Sequence, residues 1–220
     1  MYHTILFDLD GTLTDPKEGI TKCVQYSLKH FDIEEEDLDQ LEHFIGPPLM
    51  EQFMECYGFD QRTAELAVEK YRERYSKIGI LENQIYPGIK KLLEELKYAG
   101  KVISLASSKP TVYCKEIVER FGIADYFQVI VGSELDGRRT NKAEVIEEAL
   151  NCLQIKEEEK YNVIMVGDRS HDIIGAKKNG LTTIGVKIGY AKEGELEEAG
   201  ADYIVESIDK LHELLFKIMK

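Results

Sequence analysis

The sequence predicts an α/β protein, a doubly wound parallel sheet with an inserted α-helical domain. Two observations lead to this fold class. Short apolar runs recur along the chain with amphipathic helical patterns between them, and one long stretch interrupts that alternation. Strands that are apolar throughout are typical of a parallel sheet covered by helices on both faces. A chain of 220 residues is long enough for such a core and a smaller module.

Six apolar runs are candidate strands: residues 4–7, 102–106, 129–131, 163–166, 183–186 and 203–205. The helices between them have clear limits. One begins near Pro87 and ends before Gly100, and another runs from about Pro110 to Gly122. Proline early in a helix and glycine just past its end is the usual arrangement.

Residues 16–81 carry helical patterns only. A stretch of roughly 65 residues is too long for a loop inside a compact domain, so it has structure of its own. We therefore expect residues 1–15 and 82–220 to form the core domain, and residues 16–81 to form an inserted helical domain.

The composition excludes several classes of partner. A net charge of −13 leaves no positive field to attract a nucleic acid polymer or an anionic membrane. No apolar stretch reaches the ~18 residues of a membrane helix, and the N-terminal residues lack the features of a signal peptide. We expect a cytoplasmic protein, either monomer or homodimer. The cysteines form no C-x-x-C pair, which argues against a zinc or redox motif and favours reduced, buried thiols.

Carboxylates follow two of the predicted strands. Asp8 and Asp10 come directly after the first strand and point the same way, because side chains alternate along an extended chain. A divalent cation between them, or protonation of one, would relieve their repulsion. Asp168 and Asp172 follow the 163–166 strand and would share one face of a helix, where Asp172 either supports a metal or caps the helix.

Two other strand ends offer groups that bind phosphate. Ser107 follows the 102–106 strand, where a hydroxyl and the backbone N–H groups of an incipient helix can contact phosphate oxygens. Lys142 begins the next helix and could neutralise phosphate and carboxylates alike. Lys109 is a second candidate for the cation on the phosphate side.

These segments, in this order, resemble the four motifs of the haloacid dehalogenase-like hydrolases. Three further stretches, F-I-G-P-P-L at 44–49, G-S-E-L-D-G at 132–137 and G-E-L-E-E-A-G-A-D-Y at 194–203, are similar to the 5′-nucleotidase-like and phosphoglycolate-phosphatase-like branch. The resemblance extends over essentially the whole chain. It implies a Rossmann-like core, and it makes the inserted helices a small cap domain.

The resemblance also implies roles for individual residues. Asp8 would be the nucleophile, and Asp10 would protonate the leaving group and then activate water. Mg²⁺ would be held by Asp8, the backbone carbonyl of Asp10 and Asp168, with Asp172 in support. The remaining expected site residues are catalytic Ser107 and Lys142, and substrate-binding Thr12, Ser108, Lys109, Phe44, Gly46 and Arg72.

The stiff Gly46-Pro47-Pro48 turn has two interpretations. It either presents Phe44 to the substrate, or it is an ordinary interhelical turn in which Phe44 packs inside the cap. Arg72 is likewise either a polar contact to substrate or a solvated helix residue.

The expected function is a Mg²⁺-dependent phosphomonoesterase acting on a nucleoside 5′-monophosphate. A phosphoglycolate or sugar phosphatase is the alternative. A regulatory module of the flavodoxin-like receiver type would also use aspartates, Mg²⁺ and a lysine, but it needs neither a cap nor Asp10. The sequence contains no P-loop, no G-x-G-x-x-G and no G-x-S-x-G. Consecutive Ser170-His171-Asp172 cannot easily converge as a triad.

Overall fold

Eight strands and nine α-helices occur in the computed structural model, which describes residues 2–219. The strands are β1 (Thr4–Phe7), β2 (Thr14–Asp15), β3 (Gln84–Ile85), β4 (Val102–Pro110), β5 (Val129–Ser133), β6 (Val163–Gly167), β7 (Thr182–Val186) and β8 (Tyr203–Val205). The helices are α1 (Lys17–Lys29), α2 (Leu49–Tyr57), α3 (Gln61–Tyr75), α4 (Ile89–Tyr98), α5 (Thr111–Arg120), α6 (Lys142–Cys152), α7 (Ser170–Lys178), α8 (Glu195–Glu198) and α9 (Ile208–Ile218). Short 3-10 helices lie at Leu38–Phe44, Gly79–Leu81, Ala124–Tyr126 and Glu157–Asn162.

The chain divides into two compact units. The larger contains the residues up to Thr14 and those from Ile85 onward, and the smaller is Asp15–Gln84. β2 and β3, at the points where the chain passes from one unit to the other, pair as a two-stranded sheet. No helix among residues 2–219 combines the length and the apolar character needed to cross a membrane.

A six-stranded sheet forms the centre of the larger unit, in the order β5-β4-β1-β6-β7-β8, with every adjacent pair parallel. The chain builds outward from β1 through β4 to β5, and then returns to the other side of β1 with β6. The carboxyl end of β1 therefore lies where the strand order reverses, which is the usual position of a ligand site in such sheets. The predicted fold class is confirmed.

The apolar runs form strands because both faces of the sheet are covered. All four residues of β1 and all five of β6 are buried. α6 buries Val145, Ile146 and Ala149 in the same cluster as Leu6 and Met165. The strands agree with the predicted runs to within two residues, except that β4 continues beyond Ala106 to Pro110. It does so because the chain pairs again with β5 at Pro110 and Ser133 after a register shift.

The smaller unit is helical and has its own apolar core. Leu41, Phe44, Phe53, Ala67 and Tyr71 are among its buried residues.

The expectation of four buried thiols is half wrong. Cys23 and Cys114 are buried, but Cys56 and Cys152 are exposed. The latter two lie in the last turn of α2 and α6, on the faces that these amphipathic helices turn to solvent.

Candidate active site

The carboxyl ends of β1 and β6 bring three carboxylates together. Asp8 follows β1, Asp168 follows β6, and Asp172 lies in the first turn of α7. All three are buried, and one oxygen from each lies within 4.8 Å of the others. Asp168 and Asp172 are only four residues apart, but the proximity of Asp8 to them does not follow from the order of the sequence. It arises because β1 and β6 are neighbours, in register from Thr4 opposite Val163 to Phe7 opposite Val166.

Lys142 lies among these carboxylates. Its Nζ is 2.5 Å from Asp8 Oδ1 and 2.7 Å from Asp172 Oδ1, and its side chain is 5% exposed. Although burial opposes it, the nearby carboxylates of Asp172 and Asp8 hold the pKa of Lys142 above its ordinary value, so the ammonium stays charged. Asn141 fixes the start of α6 by accepting a hydrogen bond from the Ala143 N–H, which places Lys142 at the first helical position.

A second buried ion pair lies beside the first. Lys109 Nζ is 2.6 Å from Asp10 Oδ2, with side chains 7% and 8% exposed. Burial raises the pKa of Asp10 despite the lowering effect of Lys109. Together with the contact between Lys142 and Asp172, these ion pairs join all four sequence segments that carry candidate site residues, those around Asp8, Lys109, Lys142 and Asp172.

The charges in this site fit a divalent cation. Asp8, Asp168 and Asp172 against the single ammonium of Lys142 leave a formal charge of −2. Burial, with the repulsion of Asp172 and Asp8, raises the pKa of Asp168 well above its usual range, and burial likewise raises that of Asp172. A buried excess of carboxylate oxygens is the donor set that Mg²⁺ prefers. The Asp10 side chain is outside this set, and only its backbone carbonyl was expected to contribute.

Asp168 is held by Tyr190, which the sequence did not indicate, and by Thr12, for which a different role was expected. The Tyr190 N–H donates to Asp168 Oδ2 at 2.7 Å, and the Thr12 hydroxyl donates to Oδ1 at 3.3 Å. A Cβ at Gly11, where φ is +78°, or at Gly189 would collide with this carboxylate. Glycine is therefore required at both positions. Gly189, just beyond β7, was the available signal for the Tyr190 contact.

Thr12 was expected to bind substrate. Its side chain is fully buried, and its one hydroxyl proton is used on Asp168. In this arrangement it supports a carboxylate.

Asp172 caps its helix, which is one of the two roles considered for it, and its support of a metal stays a prediction. Its Oδ2 accepts from the Arg169 N–H at 3.0 Å and caps α7, while its Oδ1 faces Lys142. Glu195, also missed from the sequence, fixes the same helix start by accepting from the Ser170 N–H at 2.8 Å and from Arg169 Nε at 3.0 Å. Although burial opposes it, the N–H groups of Ser170 and Lys192 and the Arg169 guanidinium lower the pKa of Glu195 to about 2.

The β4 end is close to the same site. Ser107 is 2% exposed and lies two residues before Lys109, whose N–H donates weakly to its Oγ at 3.4 Å. Ser108 is half-buried, and its carbonyl accepts from Ser133 Oγ at 2.7 Å. The roles expected for both serines toward phosphate stay predictions.

Of the expected site residues, Phe44, Gly46 and Arg72 belong to the helical unit. Phe44 is 1% exposed, with its ring centroid 4.9 Å from that of Phe53 and 6.2 Å from that of Tyr57. The structure thus favours an interhelical turn in which Phe44 packs the unit's own core, and the expectation that its ring faces substrate is not supported. Gly46 adopts φ +105° in that turn, and Arg72 is half-buried on α3. His171 is exposed, which agrees with rejecting the triad.

Comparison with known proteins gives consistent relatives. A family model described as haloacid dehalogenase-like hydrolase matches residues 5–186. A 5′-nucleotidase of Pseudomonas aeruginosa is 46% identical, with 97% of this chain and 96% of that protein covered. A tyrosine-protein kinase, PtkA of Mycobacterium tuberculosis, is 36% identical over 96% of this chain and 72% of its own length. A phosphoglycolate phosphatase of Vibrio parahaemolyticus is 28% identical, with 96% and 95% covered.

A solved structure extends the match to three dimensions. A predicted phosphatase from Clostridium acetobutylicum has a TM-score of 0.95 and 50% identity, and 99% of each chain is covered.

Proposed function

Because the chain belongs to the haloacid dehalogenase-like hydrolase family and is a phosphatase of that family, we propose that it hydrolyses small phosphomonoesters with Mg²⁺ through an aspartyl-phosphate at Asp8. One observation carries the proposal. Asp8 is buried close to two other carboxylates, those of Asp168 and Asp172, and it forms an ion pair with Lys142. A carboxylate so placed is held in a fixed position, and positioned Asp carboxylates are among the nucleophiles that form covalent enzyme intermediates.

The proposed chemistry has two steps. A carboxylate oxygen of Asp8 bonds to phosphorus, the bond from phosphorus to the leaving oxygen breaks, and Asp10 gives that oxygen a proton. A water molecule then attacks phosphorus, Asp10 takes its proton, and inorganic phosphate leaves Asp8 unmodified. Ser107 and the backbone N–H groups that follow it would bind the phosphoryl oxygens.

Asp8, Asp168 and the Asp10 carbonyl would hold Mg²⁺, with Asp172 orienting the set. When bound, the ion supplies positive charge that lets an anionic carboxylate approach an anionic phosphate. Lys142 would share that task from the other side, where its Nζ contacts Asp8 Oδ1. The rate enhancement required, up to ~10²¹-fold for monoesters, demands that these effects act together.

We propose a nucleoside 5′-monophosphate as the substrate, supported by the 46% identity to a 5′-nucleotidase over nearly the whole chain. The site residues of the larger unit would bind only the phosphoryl group of the substrate. The inserted helical unit, Asp15–Gln84, would therefore act as a cap that selects the leaving group. Phosphoglycolate is the alternative, for which Arg72 would supply a cation to the substrate carboxylate.

A phosphate-release screen tests the proposal. AMP, phosphoglycolate, sugar phosphates, pyridoxal phosphate and p-nitrophenyl phosphate are compared in Mg²⁺ and in EDTA. We expect Mg²⁺-dependent release with the highest kcat/KM for AMP. A preference for phosphoglycolate that Arg72→Ala selectively removes would favour the alternative, and no release from any substrate would contradict phosphatase activity.

A further inference from the structure

The two carboxylate oxygens of Asp10 lie in different surroundings. Oδ2 faces Lys109 Nζ at 2.6 Å, whereas Oδ1 is fully buried and has no hydrogen-bond partner within residues 2–219. A buried polar atom left without a partner is unfavourable and is rare unless it has a function. The two oxygens of an ionised carboxylate are chemically equivalent, so the difference lies in their surroundings: the ion pair occupies one oxygen and leaves the other without a partner. The position of Lys109 therefore sets the orientation of the carboxylate and the direction in which the unpartnered oxygen points.

The backbone of Lys109 is fixed by β5. Ser133 Oγ donates to the Ser108 carbonyl at 2.7 Å, and the Gly132 N–H donates to Thr111 Oγ1 at 3.0 Å. The Thr111 hydroxyl in turn donates to the Ser133 carbonyl at 3.3 Å. A Cβ at Gly132 would collide with the Lys109 carbonyl. The two strands therefore approach each other more closely here than they could with any residue other than glycine at position 132.

The direction of the Lys109 side chain follows from the same region. The pairing of β4 with β5 shifts register between Ala106 and Pro110. An irregularity of this kind turns a side chain away from the direction that strict alternation would give it. Lys109 thereby reaches Asp10, and its side chain is 7% exposed. Gly132 and Ser133 begin the G-S-E-L-D-G stretch, for which the sequence indicated a family resemblance but no function.

We propose that Lys109 is a positioning residue, which fixes the rotation of the Asp10 carboxylate so that Oδ1 is the oxygen that gives and takes the proton, and that Gly132 and Ser133 hold Lys109 in place. The inference rests on the proposed function. An ammonium that donates to Oδ2 leaves Oδ1 as the oxygen that carries the acid proton. That proton passes to the leaving oxygen as its bond to phosphorus breaks. Oδ1 then accepts a proton from the attacking water, and Lys109 keeps its own protons throughout.

The competing role for Lys109 is direct binding of the phosphoryl group. The two roles differ in their dependence on the leaving group, because p-nitrophenolate leaves without a proton whereas an alkoxide needs one. We therefore compare Lys109→Met with wild type on AMP and p-nitrophenyl phosphate. Lys115→Met, which removes an exposed lysine from α5, is the matched control. Inhibition by inorganic phosphate measures binding of the phosphoryl group separately.

We expect Lys109→Met to lower kcat on AMP by about 10²-fold or more, within the usual range for acid–base transfer, and on p-nitrophenyl phosphate by less than about 10-fold. Inhibition by phosphate should be nearly unchanged, and Lys109→Arg should restore part of the AMP rate. In an Asp10→Asn background, Lys109→Met should cost little more on AMP. Equal losses on both substrates with weakened phosphate inhibition would overturn the proposal.

Ser133→Ala provides a second test that leaves both charges in place. It removes the hydrogen bond to the Ser108 carbonyl, and it should produce the same AMP-selective loss at smaller amplitude. If Lys109→Met fails to fold, this variant decides the matter. An unselective loss or none in Ser133→Ala would contradict the support role of β5. Failure of the proposed function itself is distinguishable, because wild type would then release no phosphate from either substrate.

Discussion

Replacement of Lys142 by methionine should destabilise the protein through the carboxylates that it leaves behind. Methionine is similar in length, so the change removes the charge with little loss of packing. Lys142 is 5% exposed and lies 2.5 Å and 2.7 Å from Asp8 and Asp172. Removing one partner of a buried ion pair typically costs 3–5 kcal/mol, because the other charge stays buried without compensation. We expect a loss of about that size in the free energy of unfolding at pH 8 without Mg²⁺.

Two conditions should reduce this loss. Mg²⁺ supplies positive charge at the same carboxylates, so saturating Mg²⁺ should restore part of the stability. Burial raises the pKa values of Asp168 and Asp172, so these groups take up protons readily as the pH falls and the repulsion diminishes. Urea unfolding of wild type, Lys142→Met and the exposed control Lys115→Met measures the effect. A Lys142→Met enzyme within about 0.5 kcal/mol of the control at pH 8 would refute the reasoning, since that is the ordinary range for surface substitutions.

Three other predictions concern the metal site, the start of α7 and the helical unit. Asp168→Asn should raise the Mg²⁺ concentration for half-maximal activity at least about 10-fold, because a neutral amide is a poor ligand; an unchanged requirement would exclude Asp168 from the metal site. Glu195→Gln should cost about 2–3 kcal/mol of unfolding free energy at pH 7, since the folded pKa is lowered from 4.5 to about 2. The sign follows from a lowered pKa: the cost is fully present above about pH 5 and disappears as the pH falls toward 2, and a cost independent of pH in urea titrations would contradict it. Phe44→Ala should lose about 3–5 kcal/mol of stability with the same fold-change in kcat/KM on AMP and p-nitrophenyl phosphate, whereas selective loss on AMP would restore Phe44 as a substrate contact.

The sequence predicted the sheet well because both of its faces are buried. Continuous apolar runs are then the direct consequence of burial, and β1 and β8 coincide with the runs at 4–7 and 203–205. The grouping of the strand-end residues was also predictable. Parallel strands place their carboxyl ends at one edge, so aspartates and lysines that follow different strands must approach one another there.

The sequence could not predict which charges pair. Lys109 and Lys142 are equivalent as candidates in the sequence, and their assignment to Asp10 and Asp8 depends on the register shift between β4 and β5 and on the start of α6. Supporting contacts were missed where the backbone supplies the donor, as the Tyr190 N–H does to Asp168. Backbone donors carry no residue signature, and only the adjacent glycine marks the approach. The sequence left both interpretations of Phe44 open, because a stiff turn fixes the backbone without indicating which face is buried.

The most direct test of the account is detection of phosphate on Asp8. Wild-type enzyme is mixed rapidly with substrate and Mg²⁺, quenched in acid and digested, and the peptide that contains residues 4–14 is analysed by mass spectrometry. We expect a phosphorylated Asp8 in wild type, accumulation of it in Asp10→Asn with p-nitrophenyl phosphate because the water is no longer activated, and neither modification nor turnover in Asp8→Asn. Substantial turnover by Asp8→Asn, or a phosphate found on another residue of the quenched wild type, would contradict the mechanism.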